Sequence, residues 1–320
     1  MPPKILVISG PTASGKTRLA VELALRHGGE VVSADSMQVY RRMDIGTAKP
    51  TPEEMRGIPH HMLDVADPEE DFSVARYVEL AAPCVDDILA RGKLPIVAGG
   101  TGLYLDSLLS GRTFAPFSPD GGLRARLEAR FDALGGGAML GELAAADPEA
   151  AARLHPNDRK RIVRALEEYY TTGKTISQHN RETRALSPRY DALTLSLAFQ
   201  RREDMWARID RRVDEMMAAG LAEEVRALLD SGVPVRCTAM QAIGYKEMGA
   251  ALREGRAVAA AAAEMSAPPR RRSSSAPGST PSASSPGSAV PKGPNGSSGD
   301  RSLILKRPAG LRQNIWKNLV

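Results

Sequence analysis

The run Gly10-Pro11-Thr12-Ala13-Ser14-Gly15-Lys16-Thr17 constrains this chain more than any other stretch. It follows Lys4-Ile5-Leu6-Val7-Ile8-Ser9, an apolar, β-branched run that reads as a buried strand. It precedes Arg18 to His27, where Leu19, Ala20, Leu23 and Ala24 recur at helical spacing. A G-x-x-x-x-G-K-[ST] match counts when it joins a strand to a helix, and here both flanks fit. Gly10 and Gly15 let the backbone curl until its N–H groups converge on a phosphate at the helix N-terminus. Lys16 adds a full charge, and the hydroxyl of Thr17 suits Mg²⁺. The motif specifies a polyphosphate or diphosphate without saying which.

Glu30-Val31-Val32-Ser33-Ala34 reads as a second strand, so the chain opens with a right-handed strand–helix–strand unit and a parallel sheet. Ligands of such sheets sit beyond the carboxyl ends of the strands. Asp35-Ser36-Met37-Gln38-Val39-Tyr40 begins at that edge. Asp35 fits two roles there, a turn or helix-cap aspartate and a carboxylate facing the bound phosphate. Ser73 reads as the cap of a helix running to about Arg91. Leu94-Pro95-Ile96-Val97-Ala98 is a further strand, ending in Gly99-Gly100-Thr101-Gly102, which brings the Thr101 hydroxyl to the same edge. The adjacent His60 and His61 point different ways and lack a third ligand at metal spacing, so loop anchoring is expected of them.

Residues 111–190 change character. A Pro/Gly-rich crossing at 114–122 leads into helical stretches broken at Gly135-Gly136-Gly137. Arg159-Lys160-Arg161-Ile162-Val163-Arg164 opens one of them with four basic residues. Thr172-Gly173-Lys174-Thr175 looks like the end of a phosphate loop but lacks its leading glycine and its strand. A strand at 193–199 returns to the sheet. Residues 203–230 read as two helices meeting at Gly220, with Trp206, Ile209, Val213 and Met217 expected in the core.

Charge is unevenly spread. The net +5 of the 320 residues divides into +8 for residues 266–320 (nine basic, one acidic) and −3 for residues 1–265 (34 basic, 37 acidic). Within the body, residues 153–212 hold 14 basic and eight acidic residues, a local +6 that suits a phosphate backbone. Aromatics are only 4%, against a stacking platform for single strands. Cys84 and Cys237 are isolated, which fits a reducing compartment. The N-terminus carries no signal-type segment and no 18-residue apolar run occurs, so a cytoplasmic protein without membrane contact is expected. From residue 266 the Ser, Pro, Gly and Arg composition predicts a disordered basic tail.

In order along the chain, Gly10 to Thr17, Asp35 to Tyr40, Gly46-Thr47-Ala48-Lys49, Pro59-His60-His61, Gly99 to Tyr104, His155 to Arg161 with Arg164 to Glu167, Thr172 to Lys174, and Gly244-Tyr245 resemble the tRNA dimethylallyltransferase (tRNA isopentenyltransferase) family. The resemblance implies an α/β fold: a phosphate-loop NTPase-like parallel sheet flanked by helices, formed by residues 1–113 and 191–265. It also implies an inserted all-helical tRNA-binding domain at 114–190, closing on the anticodon stem-loop. The implied reaction moves a dimethylallyl group from dimethylallyl diphosphate to N6 of the adenosine 3′ of the anticodon, with Mg²⁺ as cofactor and a monomer as the working form. Asp35 is then the base, aided by Thr101 and Lys16, and Gly10, Pro11, Thr12, Ala13, Ser14, Gly15, Lys16 and Thr17 hold the diphosphate, with Thr17 toward the metal. The implied tRNA contacts are Asp35, Ser36, Met37, Gln38, Thr101, Arg124, Arg159, Lys160, Arg161, Ile162 and Val163. One departure stands out. The family continues past the Gly-Tyr segment with a basic amphipathic helix, whereas here Ala267-Pro268-Pro269-Arg270 intervenes and the tail has the composition of translation in a shifted frame. Sequencing the gene across codon 265 tests that reading, and an intact frame there rejects it. Two other readings remain open on the residues: a small-molecule or nucleotide kinase sharing the phosphate loop, and a non-catalytic RNA-binding remnant.

Overall fold

The computed structural model describes residues 2–111, 121–185, 187–266 and 303–306. In chain order its elements are β1 (Lys4–Ser9), α1 (Lys16–His27), β2 (Gly29–Ser33), α2 (Pro52–Met55), β3 (His60–His61), α3 (Val74–Ala90), β4 (Leu94–Gly99), α4 (Gly102–Leu109), α5 (Gly121–Ala146), α6 (Pro148–Ala151), α7 (Arg159–Thr172), α8 (Ile176–Arg184), β5 (Asp191–Phe199), α9 (Arg202–Ala218), α10 (Leu221–Asp230), α11 (Tyr245–Arg253), α12 (Val258–Ser266) and β6 (Leu303–Lys306). No helix among the described residues is long and apolar enough to cross a membrane.

The sheet runs β3-β2-β4-β1-β5-β6. β2 pairs in parallel with β3 and β4, and β4 in parallel with β1. The inner strands are built on short apolar runs: Ile5, Leu6, Val7, Ile8, Val31, Val32, Ile96 and Val97 are all buried. Such continuous runs belong to strands covered on both faces. α1 lies on β2 and β4, burying Ala20, Val21, Leu23 and Ala24. The carboxyl ends of β1, β2 and β4 therefore share one edge.

Two compact units divide the chain. One contains the described residues among 6–72, 93–101 and 194–320, and holds most of the sheet. The other comprises 2–5, 73–92 and 102–193 and is mainly helical. This helical unit takes in α3 and α4, ahead of the boundary expected at 114, because these two helices pack together and stack Tyr77 on Tyr104 at 4.2 Å. Its core is Leu127, Met139, Leu143, Ile162, Val163 and Leu166. The expected break in α5 falls at Gly135, whose φ is 80°. Asp147 ties α6 to α8 by accepting from the N–H groups of Ala150 and Ser177. Thr172 to Thr175 is a helix–helix turn: Gly173 ends α7 in the left-handed region, and Thr175 caps α8.

Three expectations need adjustment. The crossing at 114–122 lies outside the described residues up to 120. Trp206 is exposed instead of in the core, because the inward face of α9 carries Arg208, Arg212 and Val213. Within the tail expected to be disordered, Leu303–Lys306 forms a strand antiparallel to β5, since Leu303-Ile304-Leu305 is its one apolar run. The rest of the tail beyond Ser266 is outside the described residues.

Candidate active site

The phosphate loop leaves β1 at Gly10, with φ of 154°, and turns through Ala13 (61°) and Gly15 (80°), both left-handed. Gly15 is the N-cap of α1 and offers no side chain to satisfy the first helical N–H groups. Those donors are the orphan groups that an anion satisfies at a helix N-terminus. The Ser14 hydroxyl is buried in the loop with no hydrogen-bond partner among the described residues. Lys16 Nζ donates to the Pro11 carbonyl at 2.7 Å. Burial holds the Lys16 ammonium at about 8, well below its usual 10.5; the charge of Asp35 opposes that shift and the charge of Arg212 adds to it.

β2 and β4 meet just beyond the sheet. A Cβ on Gly99 would lie 2.1 Å from the Ala34 carbonyl oxygen, so only glycine lets the two strand ends approach this closely. Two hydrogen bonds stitch the ends: Thr101 N–H to Ala34 O at 3.2 Å, and Ser36 N–H to Thr101 Oγ1 at 3.1 Å. The Thr101 hydroxyl donates in turn to Ser36 Oγ at 3.3 Å. Asp35 takes the turn role. Its Oδ1 accepts from the N–H groups of Met37 (2.9 Å) and Gln38 (3.4 Å), which is a turn aspartate, while Oδ2 makes no hydrogen bond among the described residues.

Two arginines complete the electrostatics, and sequence reasoning missed both. Arg208 donates to the Ala13 carbonyl at 3.3 Å, which places its guanidinium on the phosphate loop. Arg212, one turn further along α9, donates to the Thr47 carbonyl at 3.5 Å and has a buried Nε with no partner among the described residues. Burial lowers the Arg212 pKa, and the Asp35 carboxylate opposes that shift. The available signal was the i, i+4 arginine pair, which the apolar stripe of the same helix masked. Lys16, Arg208 and Arg212 thus bring three cationic side chains to the phosphate loop and the 43–49 segment, with the Asp35 carboxylate acting on both Lys16 and Arg212, and Glu215 and Glu54 acting further on Arg212.

The remaining expected site residues divide. Ser36, Met37 and Gln38 are half-buried on the turn after β2. Both N–H groups of the Gln38 amide point inward, to the Thr47 and Ala48 carbonyls, and its Oε1 accepts from Ser33. In the helical unit, Lys160 and Arg161 are exposed. Arg159 is engaged by Asp132 and the Glu128 carbonyl, and Arg124 by Glu128 and Glu167. Ile162 and Val163 do not serve as surface contacts: they are 0% and 1% exposed, and their side chains build the helical core. His60 and His61 are anchored, His60 Nδ1 to the Ile58 carbonyl and His61 Nε2 to Glu30, each at 2.8 Å. Among the described residues no three His, Cys, Asp or Glu side chains cluster as a metal site.

Fold and site together define an α/β protein with a phosphate-binding loop, an acid–hydroxyl pair at the same sheet edge and a helical unit drawn from the middle of the chain. A family model described as IPP transferase matches residues 38–272, and one described as isopentenyl transferase matches residues 3–70. The chain belongs to the IPP transferase family. It is 51% identical over 245 residues to tRNA dimethylallyltransferase 1 of Pelobacter propionicus, covering 77% of this chain and 79% of the relative. It is 50% identical over 249 residues to the tRNA dimethylallyltransferase of Geobacter sulfurreducens, covering 78% and 79%. Among solved structures it is similar to the tRNA isopentenylpyrophosphate transferase of Bacillus halodurans, with 42% identity, 82% of each chain covered and a TM-score of 0.58. It is also similar to a eukaryotic dimethylallyltransferase acting on tRNA, with 30% identity, 82% and 66% covered and a TM-score of 0.68.

Proposed function

We propose that this chain transfers the dimethylallyl group of dimethylallyl diphosphate to N6 of the adenosine 3′-adjacent to the anticodon of tRNA, releasing diphosphate. The observation that carries the reading is the Asp35 carboxylate on the turn stitched to Thr101: Oδ1 holds the turn, Oδ2 has no hydrogen-bond partner among the described residues, and the charge acts on both Lys16 and Arg212. N6 attacks C1 of the allyl group as the C1–O bond breaks, and the bonding pair leaves on diphosphate. Loop N–H groups, Lys16, Arg208 and Arg212 stabilise that developing charge in a partly desolvated site. N6 is part of a conjugated amine and becomes nucleophilic only as it loses a proton, which Asp35 Oδ2 accepts. General-base help of this kind contributes about 10²–10⁴-fold. Thr101 Oγ1, fixed by the Ser36 amide, orients the adenine or the bridging oxygen. The target base leaves its stack to reach the strand ends.

Magnesium fits the donor set. Thr17 presents a hydroxyl and Asp35 a carboxylate oxygen, both hard ligands, and the ion would be held by Thr17 with diphosphate oxygens and water. When bound it supplies further neutralisation of the leaving group. In the helical unit, Lys160 and Arg161 supply backbone contacts to the anticodon stem.

The kinase and the non-catalytic alternatives gain no support from the relatives, which are named for tRNA prenylation. Incubating the chain with tRNA and dimethylallyl diphosphate, then weighing the nucleosides, should reveal a dimethylallyl-adenosine. Phosphoryl transfer from ATP with no prenylated nucleoside would reject the proposal.

A further inference from the structure

The segment from Met43 to Lys49 has no regular structure of its own, yet it shapes the site. Its Thr47 and Ala48 carbonyls take both N–H groups of the Gln38 amide, at 3.3 and 3.1 Å, and Thr47 O also receives Arg212. Two non-glycine residues take the left-handed region here, Arg42 (φ 64°) just before the segment and Ala48 (φ 44°) within it. Each costs about 1–3 kcal/mol and persists only where the surroundings over-determine it.

What determines it is Glu224 on α10. Its Oε2 accepts from the N–H groups of Asp44 and Ile45, both at 2.9 Å, and its Oε1 accepts from Gly46 N–H at 3.3 Å. Three successive amides thus converge on one carboxylate. The fully buried Tyr245, at the start of α11, donates its hydroxyl to the same Oε1 at 2.5 Å. Burial and the adjacent Glu224 charge raise the phenol's pKa, so the hydroxyl stays a donor across the working range. The ring of Tyr245 also seats the segment: a Cβ on Gly46 would lie 2.4 Å from its Cε2.

We infer that Glu224 and Tyr245 are positioning residues for the transfer reaction: they hold the 43–49 segment so that its carbonyls fix Arg212 and, through the Gln38 side chain, the turn whose amides hold Asp35, while touching no substrate themselves. The inference rests on the proposed function for what Arg212 and Asp35 act on. Small displacements of such aiming groups cost about 10²-fold in rate.

The test uses the full chain. Glu224→Gln keeps the volume but replaces one accepting oxygen by an N–H donor. It should lower kcat/KM for an anticodon stem-loop about 10²-fold and weaken binding of inorganic diphosphate severalfold. Tyr245→Phe, which removes a single hydrogen bond, should lose severalfold in kcat/KM and serves alone if Glu224→Gln fails to fold. Leu228→Ala, a buried core change on the same helix, should lower Tm while kcat stays within twofold below its melting range. Combining Tyr245→Phe or Glu224→Gln with Gln38→Ala should be at most threefold worse than the poorer single variant. Losses that multiply, or kcat/KM within threefold of the unaltered chain in both brace variants, overturn the inference. Hydrogen exchange at the amides of residues 44–46 should accelerate in the brace variants, and unchanged exchange also overturns it. An unaltered chain that makes no prenylated nucleoside rejects the proposed function, and exchange with diphosphate binding then still decides the brace.

Discussion

Asp35 divides its labour between its two oxygens, and this separates structure from chemistry in a way a single substitution can read. Asp35→Asn keeps an oxygen to accept from Met37 and Gln38, so its Tm should stay within a few degrees while single-turnover transfer falls about 10²–10⁴-fold. Near-normal turnover would remove Asp35 from the proton path. Lys16 carries the opposite tension, a charge kept in a buried place for a ligand. Its pKa of about 8 makes it cationic below pH 8 and neutral above, so dimethylallyl diphosphate should bind more weakly as pH rises through 8, by up to tenfold per unit. In the ligand-free protein the sign reverses. Between pH 8 and 10.5 the unfolded chain holds the Lys16 proton and the folded one does not, so this residue's contribution to stability rises with pH across that window. Lys16→Met should therefore melt above the unaltered protein at pH 7 and fail to bind inorganic diphosphate, as calorimetry would show.

The elements that make the site were legible to different degrees. The phosphate loop, the strands on either side of it and the Asp35 and Thr101 turns could be read because short-range rules govern them: apolar runs, glycine spacing and the strand-to-helix switch. The role of α9 was not legible. Its apolar positions suggested a core helix, and only the folded chain brings Arg208 to Ala13 and Arg212 to Thr47, across more than 160 residues. Likewise nothing local announces that Glu224 receives the amides of 44–46. Ile162 and Val163 lay among basic residues and shared their reading until the helix was seen to bury its other face. At this scale the most sensitive point is the junction of β2 and β4. Gly99→Ala places a methyl group against backbone that has no room to retreat, and it should cost several kcal/mol of stability, read as a lower urea midpoint, or prevent folding.

Across the whole molecule, charge is unevenly spread: a body of net −3 carries a local +6 at residues 153–212, a stretch that takes in Arg208 and Arg212 of the candidate site as well as Lys160 and Arg161 of the helical unit. Long-range attraction for a polyanion is drawn from that whole stretch. Replacing Lys160 and Arg161 by Gln should weaken tRNA binding and lower the slope of log affinity against log salt by about 1 per charge, with dimethylallyl diphosphate affinity unchanged. A salt titration of binding checks this, and an unchanged slope would place the backbone contacts elsewhere. The stitched junction of Ala34, Ser36 and Thr101 carries one more consequence. Since neither strand end can retreat from the other, the Asp35 turn and the Thr101 hydroxyl keep a fixed spacing, and under the proposed function an acceptor ring seated between them would be selected by that spacing.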